Sequence, residues 1–365
     1  MGGCASSLTP EEKRDLAHSR SLEEQNARDA SRDGTTIKML LLGAGESGKS
    51  TIFKQMQLLY TAAGFGDRMR WVDKIHSNAV DAIKAICAPR ANPQRPAPHP
   101  KGHRRPWRAI RHASPEHAAL TPAVAAAIAR LWADGGIQQA WERRSEYQVI
   151  ESNELYLANV AALALPGYVP TNADILASRV RTCGIHEETF EYEKLEFNII
   201  DAAFRPPHLS AAAGQKNERR KWIHCFDNVN AVVFVVALSE YDQMMFEDPT
   251  QNRMVDSLLL FDNICNNKFF HATAMILFLN KTDLFRSKLP KKPIEAVVPW
   301  SDYAGGDYAA GVGYFRNKFV SQNRRAAKDI YTHETCATDT ANIKEVFNDS
   351  TDIILKFNLE ASGMM

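Results

Sequence analysis

Long apolar runs are missing from this chain. The longest, residues 231–238, has eight residues, well short of the roughly 18 that a membrane-spanning helix needs, so no transmembrane segment is expected. An excess of one charge is missing too. Forty-four Lys and Arg stand against 43 Asp and Glu, a net +1, so no overall field draws the chain to nucleic acid, and none is expected as a partner. Paired cysteines are also absent: Cys4, Cys87, Cys183, Cys225, Cys265 and Cys336 never fall at CxxC spacing, and none stands with a histidine at zinc-ligand spacing. The first ten residues lack the apolar core of a secretory signal. A reducing, cytosolic chain without a zinc site is therefore expected. What remains, 365 residues at 45% hydrophobic and 24% charged, is the composition of a folded soluble protein of one large domain or two.

The chain opens Met1-Gly2-Gly3-Cys4-Ala5-Ser6-Ser7. Gly2, exposed once Met1 is removed, with Ser6 in the required place, fits the N-myristoylation pattern, and Cys4 beside it suits a palmitoyl group. Two acyl chains anchor stably where one holds weakly; a small flexible tail is the alternative. Thr9-Pro10-Glu11-Glu12 starts a polar helix through a cap, a proline at the first helical position and a capping box. With little but Leu16 and Leu22 apolar, it lacks a stripe to bury and is expected to stay solvated or dock a partner.

Residues 37–42 form an apolar strand ending at Gly43, and Ile52, Phe53, Met56, Leu59 and Tyr60 follow at helical spacing. Strand signals then vanish until about residue 170, with 123–132 and 153–165 reading as helices. Afterwards strands at 197–200, 231–238 and 274–279 alternate with helical patterns, the mark of a parallel sheet covered on both faces. A helical block thus interrupts an α/β domain. The divisions read this way are 1–36, an N-terminal lipidated helix; 37–65, the first part of the α/β domain; 66–177, the helical domain; and 178–365, the rest. Within the helical domain, residues 88–122 hold eight of the 17 prolines and seven Lys or Arg against Glu116 alone. That basic stretch, with Trp107, could touch RNA or acidic lipid, but proline at this density is expected to make it a disordered surface insertion.

Gly43-Ala44-Gly45-Glu46-Ser47-Gly48-Lys49-Ser50 matches GxxxxGK[ST] in full. Such a loop cradles phosphates with backbone N–H groups; its lysine reaches the β- and γ-oxygens, its last hydroxyl ligates Mg²⁺, and the helix that follows adds its positive end. Glu46, Ser47, Gly48, Lys49, Ser50 and Thr51 are expected to line the triphosphate. Asn280-Lys281-Thr282-Asp283, just after a strand, would read the base. A carboxylate at Asp283 accepts from both N1–H and the exocyclic amine of guanine, a donor pair that adenine lacks, so GTP is favoured. A P-loop ATPase or kinase is the rival that Asp283 argues against.

With Gly43 to Met56, Arg179 to Ile185, Asn217 to His224, Asn280 to Asp283 and Thr335-Cys336-Ala337-Thr338, the chain resembles the α subunits of heterotrimeric G proteins. The resemblance implies a Ras-like P-loop GTPase domain of α/β class with an inserted all-helical domain, and a switch that binds GTP and slowly hydrolyses it to GDP. It implies that Arg179 stabilises charge on the transferring phosphoryl group and pairs with Glu46 at rest. The family is itself the reference case for such an arginine, whose gain is put at roughly 10³–10⁵ in rate. Taken alone, Arg179 and Arg181 would be solvated surface charges. The resemblance also makes Thr182 a Mg²⁺ ligand beside Ser50, and Asp201 one acting through water. Gly214 would meet the γ-phosphate and Gln215 would orient the attacking water. In the loop Cys336, Ala337 and Thr338, the Ala337 N–H would donate to the guanine carbonyl and Cys336 would pack. The partners implied are a Gβγ dimer on the N-terminal helix and the Gln215 to Trp222 region, a receptor or other exchange factor at the C-terminal helix, a regulator of G-protein signalling, an effector, and the inner membrane leaflet through the acyl chains. The place implied is the cytoplasmic face of the plasma membrane. In the C-terminal helix itself, Ile343, Val346, Phe347, Ile353, Ile354 and Phe357 recur at helical spacing and are expected to pack.

The second switch departs from the family. Where the pattern runs Asp-x-Gly-Gly-Gln, ten more residues separate Asp201 from Gln215, and one of the glycines is missing. The alternative reading is therefore a nucleotide-binding scaffold of the same kind in which hydrolysis is impaired.

Overall fold

A computed structural model describes residues 36–87, 110, 120–146, 149–179, 185–193, 195–202, 228–245, 248–326 and 328–361. The expected N-terminal helix with Gly2 and Cys4, most of the basic stretch, Thr182, and the second switch with Gly214 and Gln215 lie outside the described residues.

The chain enters through β1 (Thr36–Leu42) and α1 (Lys49–Tyr60). Helices follow: α2 (Val72–Cys87), α3 (Pro122–Trp132), α4 (Gly135–Glu142), α5 (Asn153–Ala158), α6 (Val160–Leu163) and α7 (Asn172–Ala177). The sheet then resumes with β2 (Ile185–Tyr192), β3 (Leu195–Ala202), β4 (Ala231–Ala237), α8 (Arg253–Cys265), β5 (Ala274–Asn280), α9 (Thr282–Lys288), α10 (Tyr308–Val320), β6 (Ile330–Glu334) and α11 (Thr340–Ala361).

The six strands lie in the order β2-β3-β1-β4-β5-β6. All neighbours are parallel except β2, which runs antiparallel to β3. The strands expected at 37–42, 197–200, 231–238 and 274–279 are parallel as expected; β2, which is not among them, runs antiparallel because it is joined to β3 by a tight reversal in which Glu193 adopts φ 49°. A turn this short can only return the chain antiparallel.

Period-two alternation sorts the strand residues between two cores. Leu40, Leu42, Phe234, Val236, Leu277 and Leu279 pack against Leu260, Phe261 and Ile264 of α8 and Phe315 and Phe319 of α10. Met39, Leu41, Val233, Val235, Ile276 and Phe278 face the other way, onto Ile52 and Met56 of α1 and Ile343, Val346, Phe347 and Ile354 of α11. Every residue of β4 and β5 is buried, which is why both strands read as continuous apolar runs.

The helices α2 to α7 have a core of their own, with Ile75, Ala79, Ile83 and Ile86 of α2 against Ile128 and Leu131 of α3 and Tyr156 and Leu157 of α5. Thr121 caps α3 by accepting from Val124 N, and Pro122 takes the first helical position. The expected disordered surface insertion at 88–122 is too wide as drawn. Ile110 and Leu120 are buried in this core, where an apolar side chain gains more than it would in water. The helical unit meets the sheet domain through Phe65, Ile175 and Leu176, with Leu58 and Trp71 packed around them.

Candidate functional site

The site forms at the C-terminal ends of β1, β3 and β5, where the strand order reverses about β1, the usual place for a ligand in an open α/β sheet. β1 stops at Leu42 and the chain turns through Gly43 at φ 144°. A Cβ there would sit 2.2 Å from Val235 O, so only glycine fits. Glu46 and Gly48 take positive φ as well, 64° and 106°, and Lys49 begins α1. This wraps the loop over the positive end of α1.

Lys49 is buried, its Nζ donating to Gly43 O at 3.0 Å and Ala44 O at 2.8 Å. Burial holds its pKa below the ordinary lysine value, although Asp201 and Glu240 pull the other way. Among the described residues this cation bonds only carbonyls, so a phosphate would supply the bonded counter-charge. Ser50 Oγ donates to Asp201 Oδ2 at 2.9 Å, because Asp201 stands opposite Leu41 at the end of β3. Two of the three residues expected around Mg²⁺, Ser50 and Asp201, are thus brought together. Asp201 Oδ1 and Ser47 Oγ are buried with no hydrogen-bond partner among the described residues, an arrangement that suits a hydrated cation and a phosphate oxygen. A hard ion that keeps several waters asks for few protein ligands, so hydroxyls and one carboxylate fit Mg²⁺.

On the base side, buried Asn280 joins two loops. Its Nδ2 donates to Ser47 O at 2.8 Å, while its Oδ1 accepts from Ala337 N at 3.0 Å and Thr335 Oγ1 at 3.2 Å. Ala337, expected to donate to the guanine carbonyl, is thus placed beside the base-reading segment, its N–H bonded to Asn280 Oδ1. Gln55 Nε2 holds the Ala337 carbonyl at 2.9 Å, and Cys336 N donates to Asn342 Oδ1 at 2.8 Å. Asp283, in the first turn of α9, is exposed at the mouth. Burial, together with the Asp283 carboxylate nearby, pushes the Cys336 thiol up, so it is a poor nucleophile. Thr338 lies against it, Cys336 Sγ to Thr338 Oγ1 being 3.3 Å.

A family model described as "G-protein alpha subunit" matches residues 16–354. The chain belongs to the G-protein α-subunit family. Curated relatives align over the whole of both chains at 43% identity: a guanine nucleotide-binding protein subunit alpha of Cryphonectria parasitica, a guanine nucleotide-binding protein alpha-1 subunit of Neurospora crassa, and a G-protein complex alpha subunit of Aspergillus fumigatus.

In this α subunit, Arg179 Nη1 meets Glu46 Oε1 at 2.9 Å, the pair that the resemblance implies. Three partners of the site, Arg253, Glu240 and Glu151, are not among the residues expected from the sequence. Arg253, at the start of α8, also holds Glu46 at 2.9 Å and reaches Glu240 at 3.4 Å. Glu240 in turn pairs with Lys281 Nζ at 3.0 Å. Glu151, from the helical unit, accepts from Ser239 Oγ at 2.8 Å and lies 3.1 Å from Lys288 and 3.9 Å from Lys281. Burial alone would raise the Glu46 and Glu151 carboxyls, but Arg253 and Arg179 hold the first below its usual range, and Lys288 and Lys281 hold the second. Burial works against the charge of Lys281 too, yet Glu240 and Glu151 keep its pKa high. Each buried charge here is compensated, which is the condition for keeping it. Glu240 had one faint signal, a carboxylate just past the end of an all-apolar strand. Arg253 and Glu151 had none.

Gly48 supplies a test of the joint between the loops. A Cβ there would lie 2.1 Å from Asn280 Nδ2, at a φ of 106°. Gly48→Ala is expected to break the Asn280 bond to Ser47 and to destabilise the protein by about 1–3 kcal/mol through backbone strain. Thermal unfolding checks this, and an unchanged midpoint would show that the joint is not needed.

Proposed function

We propose that this chain is a guanine-nucleotide switch. It binds GTP with Mg²⁺, hydrolyses it slowly to GDP, and changes partners between the two states. The observation that carries this reading is Asn280, which ties the phosphate loop to the Thr335–Ala337 turn and leaves Asp283 at the mouth to accept from guanine. Lys49 neutralises phosphate charge. Ser50 and Asp201, with Thr182, hold Mg²⁺, which when bound draws off negative charge from the β- and γ-oxygens. Arg179 leaves Glu46 to meet the transferring phosphoryl group, and Gln215 directs the water. Single-turnover hydrolysis of bound GTP, with ATP as competitor, tests the reading. Phosphate release unaffected by excess ATP is expected, and competition by ATP would overturn it.

The residues between Asp201 and Gln215 bear on rate. Catalysis needs the water and the phosphoryl group aligned, and a misplacement of about 1 Å costs on the order of 10²-fold. Lengthening a loop costs little, about 0.6 kcal/mol per doubling. A variant lacking 203–212 is therefore expected to bind GTP as the full chain does and to hydrolyse it faster. Equal single-turnover rates would show that the longer loop already forms a competent switch.

The switch works at the cytoplasmic face of the plasma membrane, held there by myristate on Gly2 and palmitate on Cys4, with Gβγ, an exchange factor or receptor, a regulator of G-protein signalling and an effector as partners. What supports this is the N-terminal pattern together with family membership. No helix among the described residues is long and apolar enough to cross a membrane. Gly2→Ala is expected to move the protein from the membrane pellet to the supernatant on cell fractionation, since one acyl chain holds only marginally. Full retention in the pellet would count against acyl anchoring.

A further inference from the structure

We propose that Asn78, on α2 of the helical unit, is a positioning residue for Arg179: its side-chain amide fixes the main chain from which the guanidinium swings. The inference rests on the reading of Arg179 as the group that meets the transferring phosphoryl.

Asn78 Oδ1 accepts from Arg179 N at 2.7 Å, and Asn78 Nδ2 faces Arg179 O at a long 3.4 Å. The carboxamide thus pairs with the Arg179 backbone much as a neighbouring strand would, and the accepting half is the strong half. The residue before is gripped from the other side. Lys54 Nζ, on α1, donates to Ser178 O at 2.6 Å, to Ser178 Oγ at 2.9 Å and to Ile175 O at 2.9 Å. The chain reaching Arg179 is therefore held by the phosphate-loop helix at one residue and by the helical unit at the next.

The head of Arg179 is held far less firmly than its main chain. Its side chain is 45% exposed, and it shares Glu46 with Arg253, whose side chain is only 12% exposed. When Arg179 turns away, Arg253 still compensates the Glu46 carboxylate, so no buried charge is stranded. A fixed pivot with an exchangeable head narrows the space that the guanidinium must search, which is how positioning lowers a barrier. Asn78 makes these contacts with a residue 101 positions away, so no local pattern marks it.

The test is single-turnover GTP hydrolysis by the full chain as wild type, Asn78→Ala, Asn78→Asp, Arg179→Ala and the Asn78→Ala/Arg179→Ala double variant. Asn78→Ala is expected to hydrolyse about tenfold more slowly with GTP affinity unchanged, the cost of a loosened catalytic group. Asn78→Asp keeps the acceptor for Arg179 N and should stay near the wild-type rate. The double variant should be no slower than Arg179→Ala, because Asn78 acts only through that side chain. A wild-type rate in Asn78→Ala overturns the proposal. So does a double variant slowed by the full single-variant factor, which would mark Asn78 as a tie between the two units and nothing more. If Arg179→Ala itself hydrolyses at the wild-type rate, the reading of Arg179 fails and takes the proposal with it. Should Asn78→Ala not fold, Asn78→Ser, whose oxygen falls short of Arg179 N, carries the same comparison. Tryptic cleavage after Arg179 reads the pivot independently of hydrolysis. It should be faster in Asn78→Ala or Asn78→Ser than in Asn78→Asp, and equal cleavage in all of them overturns the proposal.

Discussion

Lys49→Ala is expected to lose roughly 100-fold or more in GTP affinity while the nucleotide-free protein melts no lower than wild type. The first half follows from charge: the ammonium is the one cation seated inside the phosphate loop, and a charge-assisted contact to phosphate is worth about 1.5–3 kcal/mol for each bond lost. The second half follows from what surrounds it. Lys49 Nζ has carbonyls as its hydrogen-bond acceptors, Gly43 O and Ala44 O, and burial disfavours its charge. A desolvated cation without a bonded carboxylate costs stability, so removing it relieves the fold even as it empties the site of function. Isothermal titration and thermal unfolding of the same preparation check both halves. An affinity close to wild type would remove Lys49 from the phosphate site, and a large drop in melting temperature would make it a structural cation.

Asp283→Asn is expected to reverse the base preference. The carboxylate accepts from two guanine donors; an amide can accept from only one and turns its NH₂ against the exocyclic amine. A site built to bond a polar group rejects a mismatched one by factors of about 10⁴, so GTP affinity should fall steeply. Xanthosine triphosphate carries a carbonyl where guanine carries the amine and should gain in the same variant. Because Asp283 is exposed and outside the hydrophobic cores, the change should leave folding alone. An unaltered ratio of GTP to xanthosine triphosphate binding would place the base elsewhere.

How far the sequence discloses the site depends on the distance over which each contact acts. The glycine loop, Lys49, Ser50 and the Asn280 to Asp283 segment are legible because their chemistry is local: a phosphate cradle needs its donors within one turn, and a base reader follows its own strand. β4 and β5 are legible because burial on both faces leaves no polar position in them before Asn280, the last residue of β5. β2 escapes notice because Ile185–Tyr192 is an edge strand rich in charge, with Phe190 its one buried residue. β6 escapes because it is short and only half-buried. Arg253 reaches the site from α8, 207 positions from Glu46, and Glu151 and Asn78 come from the loop before α5 and from α2, brought there only by the packing of the two units. The Asn280 side chain is the same kind of case: its bonds to Ser47 O, Thr335 Oγ1 and Ala337 N join residues 233, 55 and 57 positions away, which no linear pattern records.

Which nucleotide the protein holds is the most direct test of a guanine-nucleotide switch. Purified under mild conditions, denatured by heat and resolved by ion-exchange chromatography, the protein is predicted to release guanine nucleotide, chiefly GDP, in stoichiometric amount and without adenine nucleotides. Release of adenine nucleotide in that proportion, or an empty protein that fails to take up labelled GTP in the presence of Mg²⁺, would contradict it.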